Sequence, residues 1–100
     1  MSSPNGSSRF KVVLAANVRQ QAEQLHDIAE EHGLGHEFIE ALIVIDRGLN
    51  QDPRRFGDPL YRLPALKLTA YMRAIFPVVV HFGVHDHLPF VVVRGFRLMI

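Results

Sequence analysis

The chain has 100 residues, which suits one domain, and 48% of them are hydrophobic, so a core can form without disulfides or structural metals. It contains no cysteine, which excludes disulfide bridges and thiolate chemistry. No apolar run approaches the ~20 residues that span a bilayer, and the first eight residues lack the regions of a secretory signal. We therefore expect a cytoplasmic domain over residues 10–100, without membrane contact, preceded by a disordered tail over residues 1–9.

The charged residues are unevenly distributed along the chain. Residues 1–46 carry three Lys or Arg against seven Asp or Glu, a net charge of −4, whereas residues 47–100 carry eight against three, a net charge of +5. Such an asymmetry indicates either a basic surface that meets phosphate or an acidic partner, or simply two layers of one domain with different charge.

The first half of the chain predicts one strand and two helices. Residues 10–14 are strand-forming and apolar, and form the first predicted strand. Apolar residues then recur at helical spacing over residues 18–32, with Asn17 as the expected N-cap. A second helix is predicted over residues 36–47, with Gly48 as its stop. Two helices joined by a short glycine-containing link form a hairpin that can lie across a sheet.

The second half predicts a loop and three strands. Residues 50–59 are rich in Pro, Gly, Asn and Asp, and are predicted as a loop. Residues 66–73 alternate between apolar and polar side chains, which predicts a half-exposed strand. The apolar runs over residues 75–84 and 88–97 flank a polar turn at residues 85–87, which predicts an antiparallel hairpin. The expected fold is therefore α+β and two-layered: an N-terminal strand, an α-helical hairpin, then an antiparallel sheet of three further strands.

A layer of two helices covers only one face of such a sheet, so function is expected on the opposite, open face. The alternation in the predicted second strand places Lys67, Tyr71 and Arg73 on this face, and His81 joins them. Gly95 indicates a bulge or a close backbone approach in the last strand.

Three short motifs accompany this order of elements. Residues 52–63 contain Asp-Pro, Phe-Gly and Pro-Leu-Tyr-Arg-Leu, residues 80–84 read Val-His-Phe-Gly-Val, and residues 91–97 form a valine-rich strand that ends in basic residues. With the order of elements, these motifs resemble the RelE/ParE superfamily of toxins from type II toxin–antitoxin modules. The resemblance covers about residues 10–97, and implies a RelE/ParE-like domain that a cognate antitoxin silences.

The resemblance implies two alternative activities. RelE-like members cleave mRNA on the ribosome with Lys, Arg and sometimes Tyr or His side chains on the sheet, whereas ParE-like members act on DNA gyrase. The expected function is that of a toxin component, specifically a ribosome-dependent mRNA endoribonuclease. The alternative is a non-nuclease binder, either a gyrase-directed toxin or an inactive family member. Val79 and Phe82 favour this alternative, because many relatives carry Arg and Tyr at these positions.

RNA cleavage by such a fold needs a base near the 2′-hydroxyl, an acid near the leaving oxygen, and cations around the phosphate. An imidazole titrates near neutral pH and can serve as base or acid. The expected catalytic residues are His81, Arg97 and Lys67. The expected RNA-binding residues, which hold phosphates or stack on bases, are Arg73, Tyr71, Arg94, Arg54 and Arg55. The alternative interpretation is that all of these are ordinary solvated side chains.

Three histidines, His81, His85 and His87, lie near Asp86 in the sequence, and imidazoles bind zinc, nickel or copper. A structural zinc site needs four fixed ligands, and this spacing matches no recognised set, so we expect neither a metal nor a cofactor. The expected partners are the cognate antitoxin, and either the ribosome with mRNA or DNA gyrase. The apolar surface of the second helix also suits a homodimer.

Overall fold

The computed structural model describes residues 10–100, and the predicted tail over residues 1–9 lies outside the described residues. The fold is α+β, as predicted, and no helix among these residues is long and apolar enough to cross a membrane. In chain order the elements are β1 (Lys11–Leu14), α1 (Val18–Glu31), α2 (Gly35–Gln51), α3 (Pro53–Phe56), β2 (Asp58–Leu63), a 3-10 turn (Pro64–Leu66), β3 (Leu68–Ile75), β4 (Val78–His85) and β5 (Phe90–Leu98).

The sheet has five strands in the order β1–β5–β4–β3–β2, rather than the four that were predicted. It is mixed, because β1 runs parallel to β5 while the other neighbours are antiparallel. The additional strand is β2, whose first residues fall in the predicted loop. Strand β2 contains Pro59, which pairs with Tyr71 of β3 although proline cannot donate a ladder hydrogen bond. It is tolerated there because β2 is an edge strand, which leaves one side of its backbone free of partners.

The two long helices occur where they were predicted, but their ends differ from expectation. Asn17 is the N-cap residue of α1, as predicted, but it adopts the left-handed conformation (φ 68°) and its side chain makes no capping hydrogen bond, so the predicted side-chain cap is wrong. The predicted stop at Gly48 is also wrong, because α2 continues to Gln51. Gly48 instead provides a flat surface for the Phe56 ring, which a Cβ at this position would overlap. Pro53 follows directly and begins α3.

The core lies between the helices and one face of the sheet. Alternate residues of β4 and β5 point to the helices and are almost completely inaccessible to solvent, and the facing helical residues are equally buried. Each fully buried side chain of this kind stabilises the fold by roughly 1.5–3 kcal/mol. The core members from the hairpin and the helices are Val78, Val80, Phe82, Val84, Val91, Val93, Phe38, Ala41, Ile45 and Leu49.

Strand β3 presents to the helices the side chains that were expected on the open face. Tyr71 pairs with Phe82 and Arg73 with Val80, and directly paired residues share a face of the sheet. The Tyr71 ring is 8% exposed and stacks on the Phe82 ring, with the ring centroids 5.5 Å apart. The expectation that Tyr71 and Arg73 lie on the open face is therefore wrong.

The open face is the side of the sheet away from the helices. From β3 and β4 it carries Leu68, Ala70, Met72, Val79, His81 and Gly83. The prediction that Lys67 lies on the open face within a strand is also wrong. Lys67 precedes β3 and caps the C-terminal end of the 3-10 turn in a left-handed conformation (φ 55°).

Candidate nucleic-acid interface

Four polar side chains from three strands meet on the open face. His81 lies in the middle of β4, where its neighbours across the sheet are Met72 and Gly95. Arg97 of β5 pairs with Val79. His81 and Arg97 border a shallow depression of about 390 Å³, whose lining residues are Tyr61, His81, Arg94, Gly95, Phe96 and Arg97.

A β-bulge in β5 brings both arginines to this depression. Residues three apart in a regular strand point to opposite faces, so Arg94 and Arg97 would be separated by the sheet. In β5 the register shifts, because Phe82 pairs with Val93 and His81 with Gly95, which leaves Arg94 as the extra residue. A bulge of this kind redirects a side chain. Gly95, which indicated a bulge in the sequence, lies directly after the redirected arginine.

The Arg94 side chain crosses the open face to the edge strand β2. One terminal nitrogen of Arg94 donates a hydrogen bond to the Tyr61 hydroxyl at 3.0 Å. Tyr61 pairs with the small residue Ala70 and is 51% exposed, so about half of its surface is accessible to a ligand. The pair thus combines a fixed cation with an exposed aromatic ring, which suits binding of a nucleotide.

His81 is half-buried between the two arginines. Partial burial lowers the pKa of His81 below the ordinary value of a histidine, and the charges of Arg97 and then Arg94 lower it further. The imidazole is therefore mostly neutral at neutral pH and able to accept a proton, while both guanidinium groups remain charged. Such a site attracts a phosphate and offers it a base.

Lys67 does not belong to this cluster. The residue after it, Leu68, pairs with His85, which lies four positions from His81 along β4. At ~3.3 Å per residue, this places Lys67 more than about 13 Å from His81 along the sheet. The structure therefore separates the three predicted catalytic residues into the pair His81 and Arg97, which meet, and Lys67, which does not.

Three predicted RNA-binding arginines lie elsewhere and contact the backbone or remain solvated. Arg73 donates to the Phe56 carbonyl at 2.7 Å, and its guanidinium lies 4.9 Å above the Phe56 ring. Arg54 donates to the His85 carbonyl at 2.7 Å, which attaches α3 to the end of β4. Arg55 is exposed, and Asp52 is its nearest carboxylate at 4.0 Å.

The histidines of the β4–β5 turn do not converge with His81. The Nδ1 atom of His85 accepts the backbone N–H groups of His87 and Leu88, at 3.1 and 3.0 Å, and so shapes the turn. His81 lies four residues before His85 on the same strand, with its side chain at the depression. The turn is thus held by a histidine that is already engaged with the backbone.

Asp86 in the same turn fixes the edge of the sheet. Its carboxylate accepts hydrogen bonds from Arg62 at 2.7 Å and from Thr69 at 3.0 Å. The Arg62 hydrogen bond is the main reason why the pKa of Asp86 is lowered, although partial burial acts in the opposite direction. These contacts join β2, β3 and the turn, and stabilise the sheet at the end away from His81.

Tyr61 is the residue of the cluster that the sequence analysis did not propose. The sequence did contain a signal for Tyr61. A proline is compatible with an edge strand, so residues 58–63 could have been read as such a strand, with alternate side chains exposed. A second bulge, between Pro59 and Tyr61, disturbs that alternation, and period-two spacing alone does not locate it.

Comparison of the chain with protein-family models, with curated proteins and with solved structures finds no match in any of the three. The geometry of the open face is therefore the basis of the functional argument.

Proposed function

We propose that this chain is the toxin component of a type II toxin–antitoxin module, and that its open face binds mRNA and cleaves it on the ribosome. The observation that carries the proposal is a depression in which an imidazole of lowered pKa lies between two unpaired cations, Arg94 and Arg97, none of them in contact with a described carboxylate. A cognate antitoxin is the partner that this function implies.

The chemistry proposed for this site is an internal transfer at phosphorus. His81 accepts the proton of a 2′-hydroxyl, whose oxygen forms a bond to the adjacent phosphorus while the bond to the 5′-oxygen breaks. The Tyr61 hydroxyl, whose oxygen accepts the Arg94 hydrogen bond, keeps its own proton for the leaving 5′-oxygen. Arg94 and Arg97 stabilise the negative charge that develops on the phosphate oxygens. The products are a 2′,3′-cyclic phosphate and a 5′-hydroxyl.

The two differences from the superfamily pattern are compatible with this site. Phe82 is fully buried on the helix side, so the absence of a hydroxyl there removes nothing from the open face. Val79 does lie on the open face, but Arg97 is its partner across the sheet and supplies a cation at the same level.

The test is cleavage of an actively translated mRNA by the purified protein. We expect cleavage by the natural chain, a loss of about 10²–10⁴-fold for His81→Ala, and a loss of about 10²–10³-fold for Arg97→Ala. Arg47→Ala is the matched control, because Arg47 is an exposed cation on α2 and is expected to leave cleavage unchanged. Absence of cleavage, or cleavage that neither open-face substitution alters, contradicts the proposal.

A non-nuclease binder is the second candidate, and the position of Lys67 favours it. Without Lys67 the depression holds a single imidazole as its neutral base, and the basic face then suits an acidic protein surface. A gyrase-directed toxin would arrest growth while mRNA stays intact and supercoiling by purified gyrase is blocked. Expression without growth arrest would instead indicate an inactive member.

A further inference from the structure

A second depression adjoins the open face where β5 emerges from the sheet. Strand β1 ends at Leu14, which pairs with Val93, so no strand lies beside β5 on that side after Val93. The start of α1 occupies this place. The depression there has a volume of about 310 Å³, and Arg94 lines both it and the depression that contains His81. A ligand that contacts Arg94 can therefore extend from one depression into the other.

The lining of this second depression is dominated by carboxamides. Gln20 and Gln24 lie four residues apart on one side of α1, and Asn17 directly precedes the helix beside the same depression. We call these three residues the amide row. All three are exposed, and none of their side chains makes a hydrogen bond with a described residue. Each therefore offers a free donor and a free acceptor next to Arg94.

A fourth carboxamide fixes the amide row relative to the bulge. The Oε1 atom of Gln21 accepts the backbone N–H of Phe96 at 2.7 Å, two residues after Arg94. Gly95 lies so close that a Cβ there would be 3.4 Å from the same oxygen atom. This contact holds α1 against β5, so the distance between the amide row and Arg94 is set by the fold.

We propose that the amide row reads the base of a single-stranded RNA nucleotide next to the phosphate that Arg94 and Arg97 hold. The proposal rests on the proposed RNA binding by the open face, and adds sequence preference to it. Carboxamides present a donor and an acceptor side by side, which complements the edge of an unpaired base. Cations without such partners bind phosphates but carry no information about sequence.

The test measures binding of the full chain to short fluorescent oligoadenylate, oligocytidylate and oligouridylate. Binding is monitored by fluorescence anisotropy at several salt concentrations. For the natural chain we expect roughly a tenfold difference in Kd between the best and the worst oligonucleotide, as one good carboxamide–base pair provides. In the double variant Gln20→Ala with Gln24→Ala this difference should fall to about one. The salt dependence of binding should stay unchanged, because the phosphate contacts remain.

Two further variants separate base reading from general damage. Gln51→Ala, which removes an exposed carboxamide from the end of α2, should keep the full preference. Arg94→Ala should weaken binding of all three oligonucleotides alike and reduce the salt slope by about one. Alanine suits exposed helix positions, so the double variant is expected to fold.

The outcomes also distinguish this proposal from the nuclease proposal. Equal affinity of the natural chain for the three oligonucleotides, or a preference that survives in the double variant, overturns the base-reading role alone. A preference that depends on Gln20 and Gln24, in a protein that cleaves no mRNA, supports base reading and contradicts the nuclease. Absence of binding to any RNA overturns both.

Discussion

Replacement of Tyr71 by alanine should destabilise the domain by about 3–5 kcal/mol, the cost of removing a large aromatic side chain from a core. The Tyr71 ring is 8% exposed and lies nearly parallel to the fully buried Phe82 ring, with an interplanar angle of 8°. About 0.5–1.5 kcal/mol of the loss belongs to the ring pair itself. Because domains of this size are stable by only ~5–15 kcal/mol, the variant should lie near the limit of folding.

The assay is urea unfolding monitored by circular dichroism, with the variants Tyr71→Leu and Tyr71→Phe for comparison. Leucine fills much of the space and should lose less than alanine. Phenylalanine should change the unfolding free energy by less than about 1 kcal/mol, because the hydroxyl makes no hydrogen bond with a described residue and is not sealed from solvent. Both companions should bind RNA like the natural chain. A Tyr71→Ala variant that loses under about 1 kcal/mol but loses RNA affinity would refute the assignment of Tyr71 to the core.

Three further predictions concern ionisation. Arg97→Gln should raise the pKa of His81 in an NMR titration, because it removes one of the cations that lower this pKa. Arg47→Gln should leave the pKa of His81 unchanged. An unchanged pKa in Arg97→Gln would contradict the proximity of Arg97 to His81. The folded-state pKa of His81 lies below its unfolded-state pKa, so the unfolded chain binds more protons at pH values between the two. The Tm should therefore fall as the pH drops through this window. This fall in Tm should be smaller in the variant His81→Gln. Asp86→Asn should lower the Tm at neutral pH by weakening the contact with Arg62. The lowered pKa of Asp86 means that this difference should disappear as pH falls through its folded-state pKa, and a difference that persists in acid would count against the charge as its cause.

The elements that follow from local pattern were predicted correctly. The apolar spacing in α1 is enough to define a helix, and the turn between β4 and β5 is marked by polar residues between two β-branched runs. Strand β2 was not predicted, because Pro59, which lies within it, indicates a break when a strand is central. Only the neighbours of β2 in the folded sheet reveal that it is an edge, and neighbours across a sheet are not encoded in local spacing.

Which face of β3 meets the helices also depends on tertiary contacts. The alternation separated Tyr71 from Ala70 correctly, but both faces of the hairpin are largely apolar, so the pattern does not choose between them. Pairing of Tyr71 with Phe82 decides the matter, since the helices cover Phe82. The bulge beside Gly95 was anticipated, but its effect on Arg94 requires the register of β4 and β5. His81 and the two arginines were thus proposed from sequence, whereas their meeting with Tyr61 was not.

The most direct test of the account is an NMR titration of the isotope-labelled chain with a short single-stranded RNA that cannot be cleaved because its 2′-hydroxyls are methylated. We expect backbone and side-chain shifts to change at Tyr61, His81 and residues 94–97, with smaller changes along β3. Changes confined to the exposed surfaces of α1 and α2 away from Arg94, or none at saturating RNA, would contradict the claim that the open face is the site of function.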